Sequence, residues 1–469
     1  MSRESIIQLL YLAASVLFIQ GLRGLGDPKT ARRGVMWAEF GMACAIVGTL
    51  LQQEIISYTW IAVGGLIGST IGIAMGLWIP MTKMPERIAL SHAFGGLAVV
   101  LVGLVEYIRH HGGLTGLSMA ATGLECALGA LTFTGSLMAF GKLQGILPGR
   151  PLTFPGQNAM NGLVIIATLA LLVVNVVLPG HDALFWALPA LGALLGVTLV
   201  LPIGGADMPV VICLLNSYAG LAASATGFAL GNNVLIICGA LDGGSGFVLG
   251  MMMSKAMNRS FTNVLFGAFG TGGDAPAATA AGSANAGPLP NEATLDDAAD
   301  VLRAARSLII VPGYGMAVSQ AQHVCRDLAN TLAAQGTQVR YAIHPVAGRM
   351  PGHMNVLLAE ANVPYDQLFD LDAINDDFNA TDAVLVVGAN DVVNPAARTN
   401  PGSPIYGMPV FNVEQARSTI VLKRSANPGF AGIDNELFTK PNTMMVYGDA
   451  KKTVAGMLAL LKTSALKAA

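Results

Sequence analysis

The feature that most constrains this chain is the series of long apolar stretches in its first 255 residues. Stretches of this length can cross about 30 Å of hydrocarbon as helices. The first stretch has no small-residue cleavage site and many similar stretches follow it, so it is interpreted as a retained helix and not a signal peptide. The sequence therefore predicts a polytopic α-helical membrane domain. Nine spans are expected: 6–22, 34–51, 58–80, 87–108, 117–140, 160–178, 183–201, 208–229 and 233–254.

Charged residues are scarce along this region and return in the last third of the chain. Residues 1–290 hold 23 of the 54 Asp, Glu, Lys and Arg residues, and the remaining 179 residues hold 31. Fourteen of the twenty residues in 271–290 are Ala, Gly or Pro, which is typical of a flexible tether. We therefore expect a membrane domain at 1–260, a flexible linker at 261–290 and a soluble domain at 291–469.

The net charge of −2 gives no indication of nucleic-acid binding, and the five cysteines show no metal-ligand spacing. Neither a nucleic-acid partner nor a metal site is predicted.

The distribution of Lys and Arg predicts the orientation of the spans. Ten basic residues follow spans one, three, five and nine: Arg23, Lys29, Arg32, Arg33, Lys83, Arg87, Lys142, Arg150, Lys255 and Arg259. The other side holds only Arg3 and Arg109. Because cytoplasmic loops carry the excess of basic residues, the N-terminus is expected outside and the C-terminal domain in the cytoplasm.

From about residue 291, short apolar strands alternate with helical stretches. This alternation favours a Rossmann-like α/β domain with a parallel, doubly wound sheet. Helices are expected at 312–336 and at Asp449–Lys462. The expected strands are Ser307–Val311, Val339–Ile343, Ala383–Val387, Pro409–Val413, Thr419–Leu422 and Met444–Tyr447.

A glycine motif follows the first of these strands. Gly313 and Gly315 have the spacing of the G-x-G-x-x-G/A fingerprint, with Val318 where the third small residue usually falls. Glycines allow a tight turn, and a helix N-terminus can bind a pyrophosphate. A glycine-rich turn without a ligand is the alternative interpretation.

The type of dinucleotide is indicated by two further features. The second strand ends at Ile343 and His344 without the carboxylate that binds the ribose 2′-OH in NAD-binding domains. Lys423 and Arg424 end a later strand, and such a pair can bind a 2′-phosphate. Ordinary surface charge would explain the pair equally simply, but together the two features favour NADP.

Two loops complete the predicted site. Residues 344–355 combine Gly, Pro, Arg and His before a helix, and residues 388–397 directly follow the Ala383–Val387 strand, where ligands bind in open α/β sheets. Asp391 in the second loop is either a site carboxylate or the first residue of an Asx turn.

Taken together, these loops resemble the NADP(H)-binding domain of proton-translocating NAD(P) transhydrogenase. The resemblance is carried by GYGMAV at 313–318, GRMPG at 348–352 between His344 and His353, GAND at 388–391 and KRS at 423–425. In the membrane part, SHAFGG at 91–96, GGADMP at 204–209 and LNSY at 215–218 resemble the β subunit of that family.

The resemblance implies which residues bind NADP(H). Those expected are Gly313, Tyr314, Gly315, Met316, Ala317, Val318, His344, Val346, Ala347, Gly348, Arg349, Met350, Pro351, Gly352, Gly388, Ala389, Asn390, Asp391, Lys423, Arg424, Ser425, Asn427, Gly429, Phe430, Asp449 and Ala450. Lys423, Arg424 and Ser425 would hold the 2′-phosphate, and Asp391 would lie near the nicotinamide.

The resemblance also implies partners and a location. One or more α subunits would carry the NAD(H) domain and further membrane helices, and the enzyme would be a dimer of such heteromers in the lipid of the bacterial inner membrane. Hydride would pass between the two nicotinamides, coupled to proton movement across the membrane.

Polar side chains inside the spans are the candidates for the proton pathway, because an ionisable residue at a span centre costs roughly 2.5–3.5 kcal/mol on insertion scales. His92 is expected to be the proton-relay residue, with Asn216 sharing a water chain. Glu125 and Asp207 are equally well explained as structural or as functional residues, and Asp242 stays unassigned.

The sequence is also compatible with two other functions. One is a transporter or channel regulated by a cytoplasmic nucleotide-binding domain. The other is a membrane-anchored NADP-dependent dehydrogenase, which would need a substrate domain that the 179 C-terminal residues leave little room for.

Overall fold

The structure is a computed structural model in which two compact units are distinguished, one formed by the helices up to Met251 and one by the chain from residue 290 onward. The described residues are 2–52, 57–110, 113–114, 116–148, 151–204, 207–257, 261, 290–403, 405–425, 427–429 and 431–468. Apart from residues 261 and 290, the predicted linker lies outside them.

All nine apolar stretches of the sequence are helical in the described part of the first unit. Eight of these helices are long and apolar enough to cross a membrane, and the exception is the second, α2. The count of nine spans therefore stays a prediction. The helices are α1 (Arg3–Leu25), α2 (Pro28–Leu50), α3 (Thr59–Trp78), α4 (Met84–Arg109), α5 (Gly116–Leu143), α6 (Gln157–Val177), α7 (Asp182–Val200), α8 (Met208–Leu230) and α9 (Asn233–Ala256).

Helix α5 lies at the centre of this unit and packs against α4, α6, α7 and α8. Small residues make the close packing possible: a Cβ on Gly196 of α7 would lie 2.3 Å from the Leu131 carbonyl oxygen of α5, and one on Gly192 would lie 2.2 Å from that of Ala127. The Thr134 hydroxyl also donates to the Ala193 carbonyl at 2.8 Å. Close backbone approach at small residues is the usual way that membrane helices associate.

Helices α8 and α9 cross in the same way. A Cβ on Gly220 would lie 2.2 Å from the Gly243 nitrogen, and one on Gly239 would lie 2.4 Å from the Ser224 nitrogen. The buried Ser217 hydroxyl donates to the Gly243 carbonyl at 2.8 Å. This crossing fixes the register of α9 against the middle of α8.

The second unit contains a six-stranded sheet with the order β3-β2-β1-β4-β5-β6, and every neighbouring pair is parallel. Parallel sheets need both faces covered, so their strands read as continuous apolar runs, as Ala383–Val387 does with every residue buried. The strands are β1 (Ser307–Pro312), β2 (Gln338–Ile343), β3 (Leu368–Asp370), β4 (Ala383–Val387), β5 (Ser418–Lys423) and β6 (Thr443–Tyr447).

The second unit contains seven α-helices within its described residues. The first of them starts with a capping box, in which Thr294 and Asp297 each accept from the other's backbone N–H. The last helix of the unit, Ala450–Ala468, packs against the first, Leu295–Ala304, and the third, Gln322–Ala334. The helices are α10 (Leu295–Ala304), α11 (Tyr314–Ser319), α12 (Gln322–Ala334), α13 (His353–Glu360), α14 (Leu371–Ile374), α15 (Ala396–Thr399) and α16 (Ala450–Ala468).

The structure differs from the predicted strands at two places. Residues 409–413 are not a strand: Val410, Phe411 and Val413 are buried core residues in an extended segment that ends in a 3-10 turn. Leu368–Asp370, which pairs with β2 at the sheet edge, was not predicted. The helix expected over 312–336 is also two helices, because Gln320 takes a left-handed conformation with φ +52°.

Candidate functional site

The predicted nucleotide-binding residues of the second unit lie at one edge of the sheet. Because all six strands are parallel, the segments that follow them emerge together at their carboxyl ends. Four of the five segments that carry predicted residues begin directly after a strand, at Gly313 (β1), His344 (β2), Gly388 (β4) and Arg424 (β5). The fifth begins at Asp449, two residues after β6. Chain order reverses between β1 and β4, which is the point where open α/β sheets bind ligands.

The loops after β1 and β4 pack on one another through glycine. The Gly315 N–H donates to the Gly388 carbonyl at 2.9 Å, and a Cβ on Gly388 would lie 2.4 Å from the Gly315 Cα. Gly388 also has φ +67°, which favours glycine in any environment. These two glycines are thus required for contact between the loops.

The fingerprint segment departs from the expected geometry in its helix. Tyr314–Ser319 forms a helix of six residues in which Met316 and Ala317 are buried. The Val318 side chain is 45% exposed. Because nearly half of this side chain is exposed, a small residue is not required there.

The segment after β2 is held by two buried histidines. His344 donates from Nε2 to the Pro409 carbonyl at 2.7 Å and accepts at Nδ1 from the Val346 N–H at 3.3 Å. Burial lowers the pKa of His344 to about 4, against the opposing effect of the Pro409 carbonyl. His353 accepts from the Arg349 N–H at 3.1 Å, and its pKa is lowered to about 4 by burial and by the Arg349 charge. Both imidazoles are therefore neutral at physiological pH.

This segment also reaches the fingerprint loop. The Arg349 guanidinium lies 4.5 Å from the centre of the Tyr314 ring, within the range of a cation–π interaction. Gly348 and Gly352 have φ values of +113° and +68°. The turn thus brings an arginine and a tyrosine from two predicted loops together.

Asp391 joins the loops that follow β4 and β5. Its Oδ2 accepts from the Ala431 N–H at 3.0 Å, and its Oδ1 accepts from the Asn390 amide at 3.1 Å. Lys423 Nζ donates to the Asn427 carbonyl at 2.6 Å and lies 3.4 Å from the Asn390 Oδ1. Burial lowers the pKa of Lys423, while the Asp391 charge acts in the opposite direction.

The remaining predicted residues differ in accessibility. Arg424, Ser425 and Asn427 are exposed, and Phe430 lies outside the described residues. Asp449 accepts from the Lys452 N–H at 3.2 Å at the start of α16, so it caps that helix. The other predicted residues fall in the same loops: Val346, Ala347, Met350, Pro351, Ala389, Gly429 and Ala450.

In the first unit, His92 and Asn216 line the same small cavity. The cavity has a volume of about 30 Å³ and is lined by Ile88, Ala89, His92, Ser136, Ala139, Ile212, Leu215 and Asn216. His92 Nδ1 lies 3.0 Å from the Ser136 hydroxyl. His92 Nε2 is buried without a hydrogen-bond partner among the described residues. A cavity of this size can hold a water molecule that would satisfy such a nitrogen.

Asp242, which the sequence left unassigned, belongs to this cluster. The Asn216 amide donates to its Oδ1 at 2.9 Å. Asp242 is also close enough to His92 for their charges to interact. Ser136 is the other member that sequence reasoning missed, since nothing in an apolar span reveals which hydroxyl faces a neighbouring histidine.

Glu125 and Asp207 are not brought into this cluster. Glu125 precedes Ser136 by eleven residues on α5, about 16 Å along the axis, and Asp207 precedes Asn216 by nine residues, about 13 Å. Glu125 is fully buried, neither carboxylate oxygen makes a hydrogen bond within the described chain, and a Cβ on Gly103 would lie 2.3 Å from its Oε1.

Two further polar contacts lie near the Glu125 end of the unit, and the sequence did not single them out. Glu106 lies 3.2 Å from the ring of His110 one turn further along α4. The Tyr107 hydroxyl donates to Asp182 at 3.0 Å.

The basic residue Lys142 is buried instead of lying in a loop. Its ammonium donates to the carbonyls of Leu201 at 2.5 Å and Ile203 at 2.6 Å, just beyond the end of α7. A cation at that position interacts favourably with the helix dipole.

The two units together define a class: a membrane protein with a helical domain and a Rossmann-like domain. The family profile described as the NAD(P) transhydrogenase beta subunit matches residues 7–460. Two curated relatives, both NAD(P) transhydrogenase subunit beta from Rhodospirillum rubrum, are 50% identical over 459 residues, which is 96% of this chain and 97% of theirs. The chain belongs to the NAD(P) transhydrogenase beta subunit family, an oxidoreductase subunit that works with an alpha subunit.

Proposed function

We propose that this chain binds NADP(H) in its C-terminal unit and couples hydride transfer between NAD(H) and NADP(H) to proton passage at His92. The NAD(H) would be bound by the alpha subunit. The observation that carries the proposal is the His92 cluster, in which a buried imidazole nitrogen without a partner in the described chain lies at a water-sized cavity with Asn216. A proton pathway needs such a group, since histidine changes charge near neutral pH.

The chain's own residues fit NADP(H) at the carboxyl edge of the sheet. Arg424 and Ser425 are exposed beside Lys423, and Arg424 makes no ion pair within the described chain. A guanidinium and an ammonium side by side are suited to a 2′-phosphate. Gly313 and Gly315 carry no side chain, so the backbone at these two residues can approach a pyrophosphate. The bound nucleotide would supply or accept the hydride.

Asp391 has a positioning role in this proposal. Its carboxylate holds the loop after β5 through Ala431 and the loop after β4 through Asn390. Because these two loops carry the predicted 2′-phosphate and nicotinamide contacts, Asp391 keeps both halves of the nucleotide site in register.

In the membrane unit, the polar groups lie at three different heights along the helix axes. Asp207 lies at the start of α8, His92 and Asn216 lie about two turns into their helices, and Glu125 lies toward the opposite end. The positive-inside distribution supports a cytoplasmic position for the Asp207 level and for the C-terminal unit. Protonation at His92 would then favour one conformation of the NADP(H)-binding unit, which links the two processes by differential affinity.

Helix α3 supports a partner with further membrane helices. It has no buried residue, and a Cβ on Gly64, Gly68, Gly72 or Gly76 would meet no described atom within 4 Å. Spaced small residues of this kind allow another helix to approach closely. We propose that the alpha subunit supplies that helix, within a dimer of heteromers in the bacterial inner membrane.

The test is NADH-driven NADP⁺ reduction by the whole enzyme in sealed vesicles, with proton movement followed by a pH-sensitive dye. Turnover accompanied by proton movement is the expected result, and H92A should abolish the proton signal while NADP(H) still binds. Ser224→Ala is the matched control, because its hydroxyl donates at 3.3 Å to the Ile236 carbonyl away from the cavity. Normal pumping by H92A would refute the proposal, and turnover with an organic substrate and no NAD(H) would favour a dehydrogenase.

A further inference from the structure

Asp242 is placed unusually for a carboxylate. It lies near the middle of α9, nine residues after Asn233 and fourteen before Ala256. The residue is solvent-exposed when this chain is considered alone. Charged side chains within membrane helices do not face lipid; they face the bundle interior or a water-filled space. The exposed side of Asp242 therefore faces water or a polar surface of the assembled enzyme.

The position of this carboxylate is fixed by the backbone. Gly220 and Gly243 bring α8 and α9 into direct contact, and the Ser217 hydroxyl donates to the Gly243 carbonyl, the residue after Asp242. Asp242 can therefore reach α8 without a long, flexible side chain. Its Oδ1 accepts from the Asn216 amide at 2.9 Å.

Asn216 connects Asp242 to the His92 cavity. The same asparagine lines the cavity that His92 also lines, and Nε2 of His92 is buried without a partner among the described residues. The order from the exposed surface inward is thus Asp242, Asn216, the cavity, His92 and Ser136. This order connects an exposed acid to a buried base through a space that can hold water.

We propose that Asp242 is a proton-relay residue that exchanges protons with His92 through this cavity, an inference that rests on the proposed function. The Asp242 carboxyl gives its proton to a water beside Asn216. That water passes a proton to a second water, in the cavity, and the second water gives a proton to Nε2 of neutral His92. The carboxylate that remains accepts the Asn216 N–H and takes the next proton from water on its exposed side. No bond other than those to the transferred protons changes.

The experiment compares D242N, D242E and Ser224→Ala in the whole enzyme reconstituted in sealed vesicles. Asparagine keeps the size of the side chain and an acceptor for Asn216 but cannot exchange a proton. Loss of a positioned proton-transfer group costs about 10²–10⁴-fold in rate, so proton movement should fall about 100-fold or more in D242N. D242E should restore at least a tenth of the wild-type rate, while the matched control Ser224→Ala pumps normally.

NADP(H) binding, measured by calorimetry, should be retained in all variants, because no substitution touches the C-terminal unit. A wild type that turns over without moving protons overturns the proposed function itself. A wild type that pumps, together with an inactive H92A and a normally pumping D242N, overturns only the role of Asp242. If D242E is as inactive as D242N, a carboxylate is not what the site requires, and the relay role is again wrong.

Discussion

The buried imidazole of His344 should make the C-terminal unit lose stability in mild acid. Its folded-state pKa is about 4, whereas an exposed histidine in the unfolded chain titrates at 6.5. Between these values the unfolded chain binds a proton that the folded chain does not. Stability contributed by this group is thus fully present above pH 6.5 and is lost as the pH falls toward 4.

The size of the effect follows from the two pKa values. Each unit of difference corresponds to about 1.4 kcal/mol, so on lowering the pH from 7 to 5 the single group removes about 2 kcal/mol from the free energy of unfolding. Domains of this size are stable by only about 5–15 kcal/mol. The loss is therefore large enough to measure.

The assay is urea-induced unfolding of the C-terminal unit in the detergent-solubilised protein, followed by pulse proteolysis at pH 7 and at pH 5. His344→Gln retains a donor for the Pro409 carbonyl but cannot titrate, so the drop in unfolding free energy between the two pH values should shrink by about 2 kcal/mol. The matched control is His323→Gln, which removes an exposed histidine of the same unit. An unchanged pH dependence in His344→Gln, or equal flattening in His323→Gln, would refute the reasoning.

Three other substitutions test the packing and the binding surface. Gly388→Ala places a Cβ 2.4 Å from the Gly315 Cα at φ +67°, and it should cost at least about 1–3 kcal/mol by thermal unfolding and impair NADP(H) binding. Arg424→Ala should leave folding unchanged but weaken NADP(H) binding by calorimetry about 10–100-fold, the loss of one charged hydrogen bond, without affecting nucleotides that lack the 2′-phosphate. Gly196→Ala places a Cβ 2.3 Å from α5 and should lower the thermal stability of the solubilised protein, whereas Gly95→Ala, whose Cβ would meet no described atom within 4 Å, should not.

Most of the C-terminal fold was predictable from the sequence because buried parallel strands carry a strong apolar signal. Five of the six strands fall where the apolar runs lie. The two errors have different causes: apolar content does not reveal which backbone groups pair as a strand, and a very short strand shows no alternation. Phe411 is as buried as any strand residue, yet its N–H donates to the Val392 carbonyl in a loop. Leu368–Asp370, with three partly exposed residues, is too short to show a period.

That the loops predicted to bind the nucleotide lie together was also predictable, because parallel strands bring their carboxyl ends to one edge. Contacts between the loops were not. Nothing in the sequence pairs Arg349 with Tyr314, or Asp391 with the Ala431 N–H, since each pair is separated by many residues and set by loop conformation. The spacing of the fingerprint also implied a long helix after β1, and a left-handed Gln320 ends that helix after six residues.

In the membrane unit, hydropathy located the helices but not their rotation. His92 and Asn216, which the sequence grouped, line one cavity, while Asp242 was left unassigned. The deciding information is the close contact of Gly220 with Gly243, which depends on how two helices face each other. A single sequence gives the small residues but not which of them meet.

The spacing of the polar levels constrains how a proton can move through this unit. Proton transfer needs heavy atoms within about 2.6–3.2 Å, or one intervening water, whereas the axial separations from His92 and its partners to Asp207 and to Glu125 are about 13 and 16 Å. On the Asp207 side, the buried residues Ala139 and Val211 belong to an apolar cluster next to the cavity. Continuous exchange across that cluster would require water to enter it, and an apolar layer admits water only when its helices separate. A change in helix packing is therefore the physical requirement for water to reach the cavity from the Asp207 side, and under the proposed function it is the step that NADP(H) binding would control.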